Sequence, residues 1–230
     1  MKLTTICIDA GHSLHIDKKC DKQFDKKETK EWVLNDRIAD MVEELLALYS
    51  CKVIRLDDTT GKTHIELNDR IKQANSINPD YIISIHHNAG ICGGKGGGTT
   101  VYYGGSKSER KTQAKKLYDI LVDHTNLIGD RKSPVVKTTS LAMVCKTKSP
   151  CLLIENGFMD SSTDVPIILT EKHARLTAYA ILEFLVDLLG LKGKTTQYTV
   201  EVTCEGEEVA TKCVKDLKTM GYIGKIKNKE

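Results

Sequence analysis

Short apolar runs alternate with longer amphipathic stretches along most of this chain. Such alternation is typical of an α/β domain, in which strands and helices follow one another. Residues 81–87 (YIISIHH) form a continuous apolar run between turn-forming residues, which indicates a strand buried on both faces. The pattern predicts a mixed, mostly parallel sheet flanked by helices on both faces.

The bounds of the elements follow from apolar spacing and from helix-breaking residues. Strands are predicted at residues 3–9, 52–56, 81–87 and 99–103, with a strand pair at 140–145 and 151–155. Helices are predicted at residues 29–49, 64–77, 106–128 and from 162 or 164 to 189, with Pro166 in the first turn of the last one. The Gly-rich residues 90–98 are predicted to form a flexible loop at the rim of the site, and a polar loop is predicted from the end of the helix at 106–128 through residue 139.

A change in composition near residue 190 predicts a domain boundary. Residues 1–190 form the main predicted domain, residues 191–197 (LKGKTTQ) are typical of a linker, and residues 198–230 predict a small βαβ module. A module of that size buries too little apolar surface to fold easily alone. We expect it to pack on the main domain or on a second copy of itself.

Charge and hydropathy exclude several classes of partner. The 230 residues include 34 Lys and Arg against 31 Asp and Glu, a formal charge of +3, and no basic run forms a nucleic-acid surface. No apolar stretch approaches the roughly 20 residues that span a bilayer. The first residues also lack the apolar segment of a secretory signal. We expect no nucleic-acid or membrane partner, and synthesis in the cytoplasm without a signal peptide.

The eight cysteines do not predict a disulfide framework. A chain of this length can stabilise itself by burial, and none of the cysteines has C-x-x-C spacing. We expect free thiols, with Cys7, Cys145 and Cys151 acting as small buried apolar residues.

Metal-binding side chains follow three of the predicted strands. His12 comes after the first strand, His86 and His87 end the third, and Glu155 ends a later one. Ligand sites gather at the carboxyl ends of strands in open α/β sheets. A hydrolytic zinc site takes three protein ligands, often two imidazoles and one carboxylate, and leaves one position open for water. His12 and His86 are therefore candidate ligands.

The third ligand is expected at the start of the first long helix, which offers Glu28 and Glu31. Glu31 stands four residues before Asn35, so both side chains lie along one helix face, and this favours Glu31. A glutamate at a helix start also suits the helix dipole without any metal. Glu155 is then left to act on the water, the alternative being a structural ion pair with Arg70.

Five segments of the chain stand in a distinctive order. They are IDAGH at 8–12, EWVLN at 31–35, LNDRIKQAN at 67–75, SIHHNA at 84–89 and LLIENGF at 152–158. In this order and approximate spacing they resemble the zinc-dependent N-acetylmuramoyl-L-alanine amidases of the Amidase_3 type. The resemblance covers about the first 190 residues and is strongest to amidase domains of phage endolysins from clostridia-like hosts, followed by sporulation-linked autolysins.

The resemblance implies one zinc ion bound by His12, Glu31 and His86, with Glu155 as the catalytic carboxylate. It implies a peptidoglycan hydrolase that cleaves the amide between N-acetylmuramic acid and the L-alanine of the stem peptide by zinc-activated water. Such a lysin would act on the host cell wall after release from the cell. Residues 198–230 would then serve wall targeting or self-association.

The resemblance also assigns supporting roles. Asn35, Arg70 and Asn75 match positions that look structural, the last two supporting the strand that bears His86. Asn88 matches a residue that lines the site.

The chain departs from the family pattern in three places. Ser13-Leu14-His15 replaces a Gly-rich run, His87 stands at a position that is commonly small or apolar, and Asn156 follows Glu155. These departures affect the shape of the substrate site, and His15 is a candidate substrate contact.

The other conspicuous side chains favour ordinary structural explanations. Strand alternation points His87 away from His86, so we expect it on the second face or at the rim. The histidines without metal context are expected to be solvated, and they are His64, His124 and His173. Trp32 is expected to pack beneath its helix.

Two other functions fit the same sequence. A zinc peptidoglycan peptidase or carboxypeptidase would use the same ligands on a different bond. A catalytically inactive wall-binding protein would belong to another class, but the intact Glu155 argues against it.

Overall fold

The computed structural model describes residues 3–105 and 108–194 together with Thr211. The chain divides into two compact units, Met1–Lys194 and Thr195–Glu230. Apart from Thr211, the predicted module at 198–230 lies outside the described residues, so the domain division stays a prediction. The first four residues of the predicted linker belong to the first unit: Leu191 is buried, and the Lys194 amide donates to the Leu48 carbonyl at 2.7 Å.

The described residues form six strands and six helices, which alternate along the chain except that β4 follows β3 and α6 follows α5. The strands are β1 (Thr4–Ala10), β2 (Cys51–Arg55), β3 (Tyr81–Asn88), β4 (Thr99–Tyr103), β5 (Val135–Lys137) and β6 (Cys151–Phe158). The helices are α1 (Glu31–Leu46), α2 (Leu67–Ile77), α3 (Ser108–Thr125), α4 (Ala142–Lys146), α5 (Val165–Ile168) and α6 (Glu171–Leu189).

The strands form one mixed sheet in the order β2-β1-β3-β6-β4-β5. All neighbouring pairs are parallel except β4 with β6. The predicted fold class is confirmed. Because β1, β3 and β6 are adjacent and parallel, their carboxyl ends meet at one edge of the sheet, which is where the polar residues of the sequence motifs lie.

Alternate residues of the central strands face two different helix layers. Ile8 and Ile83 pack towards α1, α3 and α6, whereas Cys7 and Ile82 pack towards α2 and α4. A strand covered on both faces has no polar side, which explains its continuous apolar sequence. Trp32 is buried under α1, as predicted, with its ring against Gly61.

Two predictions between residues 130 and 150 are wrong. The predicted strand at 140–145 is helix α4, and the predicted loop before it contains the short edge strand β5. The Thr138 hydroxyl accepts from the amides of Ser140 and Leu141 and turns the chain into the helix. A short apolar run fits a strand or a buried helix equally well. The helix also leaves Cys145 exposed, so its predicted burial is wrong.

The last predicted helix is two helices, with Pro166 in the first turn of α5 as expected. Thr170 ends α5 and caps α6, because its hydroxyl accepts from the His173 amide at 3.1 Å. The cap carries His173 into the interior, where it is 3% exposed. The prediction that His173 is solvated is therefore wrong.

We predict an acid-sensitive contribution to stability from His173. Burial lowers the pKa of His173 to about 4 from 6.5, with a smaller opposing effect of the Asn156 backbone. As the pH falls below 6.5, this imidazole is protonated in the unfolded chain before it is protonated in the folded protein. Its protonation therefore lowers the free energy of unfolding by about 2 kcal/mol at pH 5. Urea unfolding at pH 7.5 and 5.0, with chelator present, should show a smaller pH-dependent loss for His173→Leu than for the wild type. Equal losses would contradict the prediction.

Candidate metal and catalytic site

Four side chains from the sequence motifs meet where β1, β3 and β6 end. One ring nitrogen each of His12 and His86 and one oxygen of Glu31 lie within 4.8 Å of one another. His12 Nε2 is 3.1 Å from Glu31 Oε2, and His86 Nδ1 is 3.0 Å from Glu31 Oε1. Glu155 is the register partner of His86 on β6. Residues far apart in sequence are thus brought together as expected.

His12 is held by the end of β1 in an unusual backbone conformation. Its φ is 69°, in the left-handed region that few residues other than glycine adopt. The buried guanidinium of Arg70 donates to the carbonyls of Ala10 and His12 and to Asp9 Oδ1, the last at 2.8 Å. Asp9 Oδ2 accepts from Ser84 Oγ at 2.6 Å, which joins this support to β3.

The contacts of two predicted supporting residues differ from the prediction. Arg70 holds the loop that bears His12 and reaches β3 only through Asp9. Asn75 holds the turn before β6, since it donates to the Lys146 carbonyl at 3.1 Å and accepts from the Lys148 amide at 2.7 Å. Neither side chain hydrogen-bonds directly to β3, so any support of the strand that bears His86 is indirect, through Asp9 for Arg70 and through the turn before the neighbouring strand for Asn75. The proposed ion pair between Glu155 and Arg70 does not form either.

Glu31 is the electrostatic centre of the site. It begins α1, is 1% exposed, and its amide donates to the Lys18 carbonyl at 2.8 Å. Burial would raise the pKa of Glu31, but the contacts with His12 and His86 outweigh burial and hold that pKa far below its usual range. The carboxylate is therefore charged at neutral pH.

The donor set fits a zinc ion. Two imidazoles and one carboxylate are a recurrent ligand set of hydrolytic zinc, and they leave a fourth position for water. His12 Nε2 is buried and lies 3.1 Å from Glu31 Oε2, but it forms no hydrogen bond with any described residue. A buried polar atom without a partner is costly unless something else satisfies it. A metal ion at this point would do so.

The surroundings of Glu155 raise its pKa, whereas those of Glu31 lower it. Burial raises the pKa of Glu155 to about 7; His86 lowers it, and the negative charge of Glu31 raises it further. Its Oε2 atom is buried, and none of the residues that the structure describes donates to it. A carboxyl group with a pKa near neutrality can both accept and return a proton.

Asn35 and His87 form a buried pair behind Glu31. Asn35 lies one turn along α1 from Glu31 and is fully buried. Its Oδ1 atom is 2.7 Å from His87 Nδ1. His87 is 3% exposed on the face of β3 that it shares with Ile83 and Ile85, so of the two predicted positions the second face is right and the rim is wrong. Burial lowers the pKa of His87 to about 3, and His173 adds to the effect, so the ring is neutral.

The two predicted substrate contacts lie in different surroundings. Asn88 is half-buried at the end of β3, two residues after His86, and its Oδ1 accepts from the Ala89 amide. His15 is exposed, and its ring contacts the Lys62 carbonyl. Both roles stay predictions.

The glycine-rich loop after β3 is more tightly held than expected. Asp160 Oδ2 accepts from the amides of Gly90, Ile91 and Cys92 at 2.8 to 2.9 Å. The Gly98 amide donates to Asp164 at 2.7 Å. These bonds contradict the prediction of a flexible rim. The acidic side chains that accept these bonds lie 66 to 70 residues further along the chain, so no local pattern predicts them.

Sequence reasoning missed two cationic side chains near the site. Lys18 Nζ lies 4.0 Å from Glu31 Oε2, and the Arg131 guanidinium lies 4.7 Å from the centre of the Phe158 ring. Both lower the pKa of Glu155. They lie in polar loops whose sequence has no motif, so only the fold places them here.

A family model described as N-acetylmuramoyl-L-alanine amidase matches residues 6–187. The endolysin of Bacillus phage SPP1 is 30% identical over 131 residues, which are 56% of this chain and 48% of that protein. The N-acetylmuramoyl-L-alanine amidase CwlM of Bacillus licheniformis is 32% identical over 120 residues, 52% of this chain and 44% of that protein. The aligned segments thus span about half the length of these relatives.

A solved structure shares the fold. The N-acetylmuramoyl-L-alanine amidase from Clostridium difficile 630 superposes with a TM-score of 0.72 at 23% identity, covering 83% of this chain and 98% of that one. The family is zinc-dependent, and His12, Glu31 and His86 are a possible site for the ion. None of the described helices has the length and apolar character needed to cross a membrane.

We predict that Gly11→Ala displaces His86. A β-carbon at Gly11 would overlap the His86 imidazole, and the backbone there is not in the left-handed region, so the effect is steric. The variant should stay folded by circular dichroism but bind zinc at least about 10-fold more weakly in a chelator competition. Gly193→Ala is the matched control, because a β-carbon at Gly193 meets no atom within 4 Å. Unchanged zinc affinity in Gly11→Ala would refute the prediction.

Proposed function

Since this chain belongs to the N-acetylmuramoyl-L-alanine amidase family, we propose that it hydrolyses the amide between N-acetylmuramic acid and the L-alanine of the stem peptide in bacterial peptidoglycan. One observation carries the proposal: two histidines and a buried glutamate converge beside a second glutamate whose pKa is raised to about 7. This arrangement suits hydrolysis of a stable amide without a serine or cysteine nucleophile.

His12, Glu31 and His86 would hold one zinc ion. Bound there, zinc supplies Lewis-acid activation of a water molecule and of the amide carbonyl. The chain prepares the ligands in advance. Glu31 carries its negative charge in a buried position, Arg70 keeps His12 in place, and Gly11 leaves room for the His86 ring.

Glu155 would move the proton. As a carboxylate it accepts a proton from the attacking water, and as a carboxylic acid it returns the proton to the nitrogen of the departing L-alanine. With a pKa near 7, neither the carboxylate nor the carboxylic acid form of Glu155 is strongly favoured at neutral pH, so the group can both accept and return the proton. Its position beside His86 on the neighbouring strand puts this group next to the ligands.

Side chains around the site would bind the substrate. We assign Asn88 and His15 to substrate contacts, as the family resemblance implies. Lys18 and Arg131 add positive charge at the same place, and this charge suits the carboxylates of a stem peptide and the lactyl carboxylate that the reaction leaves.

The site of action follows from the substrate. The SPP1 relative is an endolysin, and we propose by extension that this protein is a lysin or autolysin that acts on the cell wall after release. Residues 198–230 would aid wall targeting or self-association. Light scattering on the full chain and on residues 1–194, which make up the first unit, would separate these two roles.

We predict that Glu155→Gln separates catalysis from metal binding. The amide cannot accept the proton from water, so turnover of purified sacculi should fall by about 100-fold to 10,000-fold. Zinc content measured by atomic absorption should stay at one ion per chain, because Glu155 is not a ligand in this proposal. Glu44→Gln, an exposed change of the same kind, is the control. Near-normal turnover by Glu155→Gln would show that the catalytic base lies elsewhere.

Metal removal should abolish turnover, and the products should identify the bond. Treatment with EDTA should stop sacculus digestion, and stoichiometric Zn²⁺ should restore it.

Mass spectrometry of the digest should show free lactyl groups and peptides with new L-alanine amines. Shortened stems with intact lactyl–alanine links would instead identify a peptidase. Wall binding without any cleavage by the zinc-loaded protein would identify an inactive binding protein.

A further inference from the structure

The carboxylate of Glu31 has two hydrogen-bond donors besides the two histidine rings, and both reach the oxygen that His86 Nδ1 contacts. Its Oε1 atom accepts from the backbone amide of His87 at 3.2 Å and from Asn35 Nδ2 at 3.4 Å. A carboxylate on a flexible side chain can rotate about its last bond, and each rotation turns different lone pairs towards a metal ion. The two donors restrict that rotation, so the orientation of this ligand depends on Asn35.

The side-chain amide of Asn35 can itself lie in two orientations. In the observed one, Nδ2 donates to the Gly11 carbonyl at 3.1 Å and to Glu31 Oε1. A flip by 180° would turn Asn35 Oδ1 towards both of these acceptors, where it would be repelled. The observed orientation requires a donor on the other side of the amide, where Oδ1 points.

His87 supplies that donor. Its Nδ1 atom is 2.7 Å from Asn35 Oδ1, and both side chains are almost completely buried. Because Asn35 Oδ1 can only accept, the His87 ring carries its proton on Nδ1. An apolar residue at position 87 would leave Asn35 Oδ1 buried without a donor, which makes the observed orientation costly and weakens the restraint on Glu31.

The geometry points to His87 as a positioning residue for the metal ligand Glu31, acting through Asn35. The inference rests on the proposed zinc site, because it assigns Glu31 the role of ligand. Residues behind a metal ligand fix its orientation, and their loss typically weakens metal binding by about 10-fold to 100-fold. Here the chain of contacts runs from the His87 ring through the Asn35 amide to the Glu31 carboxylate.

Two substitutions of nearly equal shape separate hydrogen bonding from packing. His87→Asn can put an amide N–H where Nδ1 now lies, whereas His87→Leu fills similar space without a donor. In the full chain, the zinc dissociation constant from chelator competition should rise about 10-fold or more for His87→Leu and stay within about 3-fold for His87→Asn. His124→Leu, a histidine changed to leucine whose ring contacts Glu183 and none of the site residues, should leave zinc affinity unchanged.

A double-mutant cycle tests the route through Asn35. Asn35→Leu should weaken zinc binding, and adding His87→Leu should cause little further loss, because both changes break one chain of contacts. Circular dichroism of the zinc-free forms checks that each variant is folded. Additive losses would overturn the proposed route.

The wild type separates failure of this inference from failure of the proposed function. If the wild type binds zinc and His12→Ala does not, the metal site stands. In that case, an unchanged zinc affinity of His87→Leu would overturn the proposed role of His87 and leave the metal site standing. Equal losses of zinc affinity in His87→Leu and His87→Asn would do the same. If the wild type binds no zinc, the site and the inference both fail.

Discussion

The interaction on which the site depends is a buried negative charge shared between two imidazoles. Glu31 is 1% exposed and contacts both His12 and His86. A buried carboxylate is costly unless charge and hydrogen bonds offset the loss of water. The start of α1 contributes to the balance, since a helix N-terminus favours negative charge. Without these partners the same glutamate would bind a proton and lose its value as a metal ligand.

The sheet topology serves this interaction. Parallel pairing of β1 with β3 and of β3 with β6 brings the three carboxyl ends together, with His86 in register with Glu155. Buried polar groups then hold the loop after β1: Arg70 joins Asp9 to the carbonyl of His12. The positive φ of His12 persists because its surroundings determine it, a pattern common at functional sites.

Two glutamates at one site have opposite acidities because their surroundings differ. Glu31 has two imidazoles and two hydrogen-bond donors around it, so its charged form is favoured. The Oε2 atom of Glu155 is buried nearby and none of the described residues donates to it, so the neutral form of Glu155 becomes accessible near pH 7. Such a division suits a ligand that must stay charged and a proton carrier that must change its charge.

The sequence by itself determined the α/β class, the mixed sheet and the residues that meet at its edge, because apolar periodicity and strand-end polar residues are local signals. It did not determine helix α4, because a short apolar run fits either a strand or a buried helix. It also did not determine the break between α5 and α6, which depends on the capping hydroxyl of Thr170. The tertiary structure alone decided the burial of His87 and His173 and the restraint of the glycine loop by Asp160. It also placed Lys18 and Arg131 near the site. These outcomes depend on partners distant in sequence, and no local pattern records such partners.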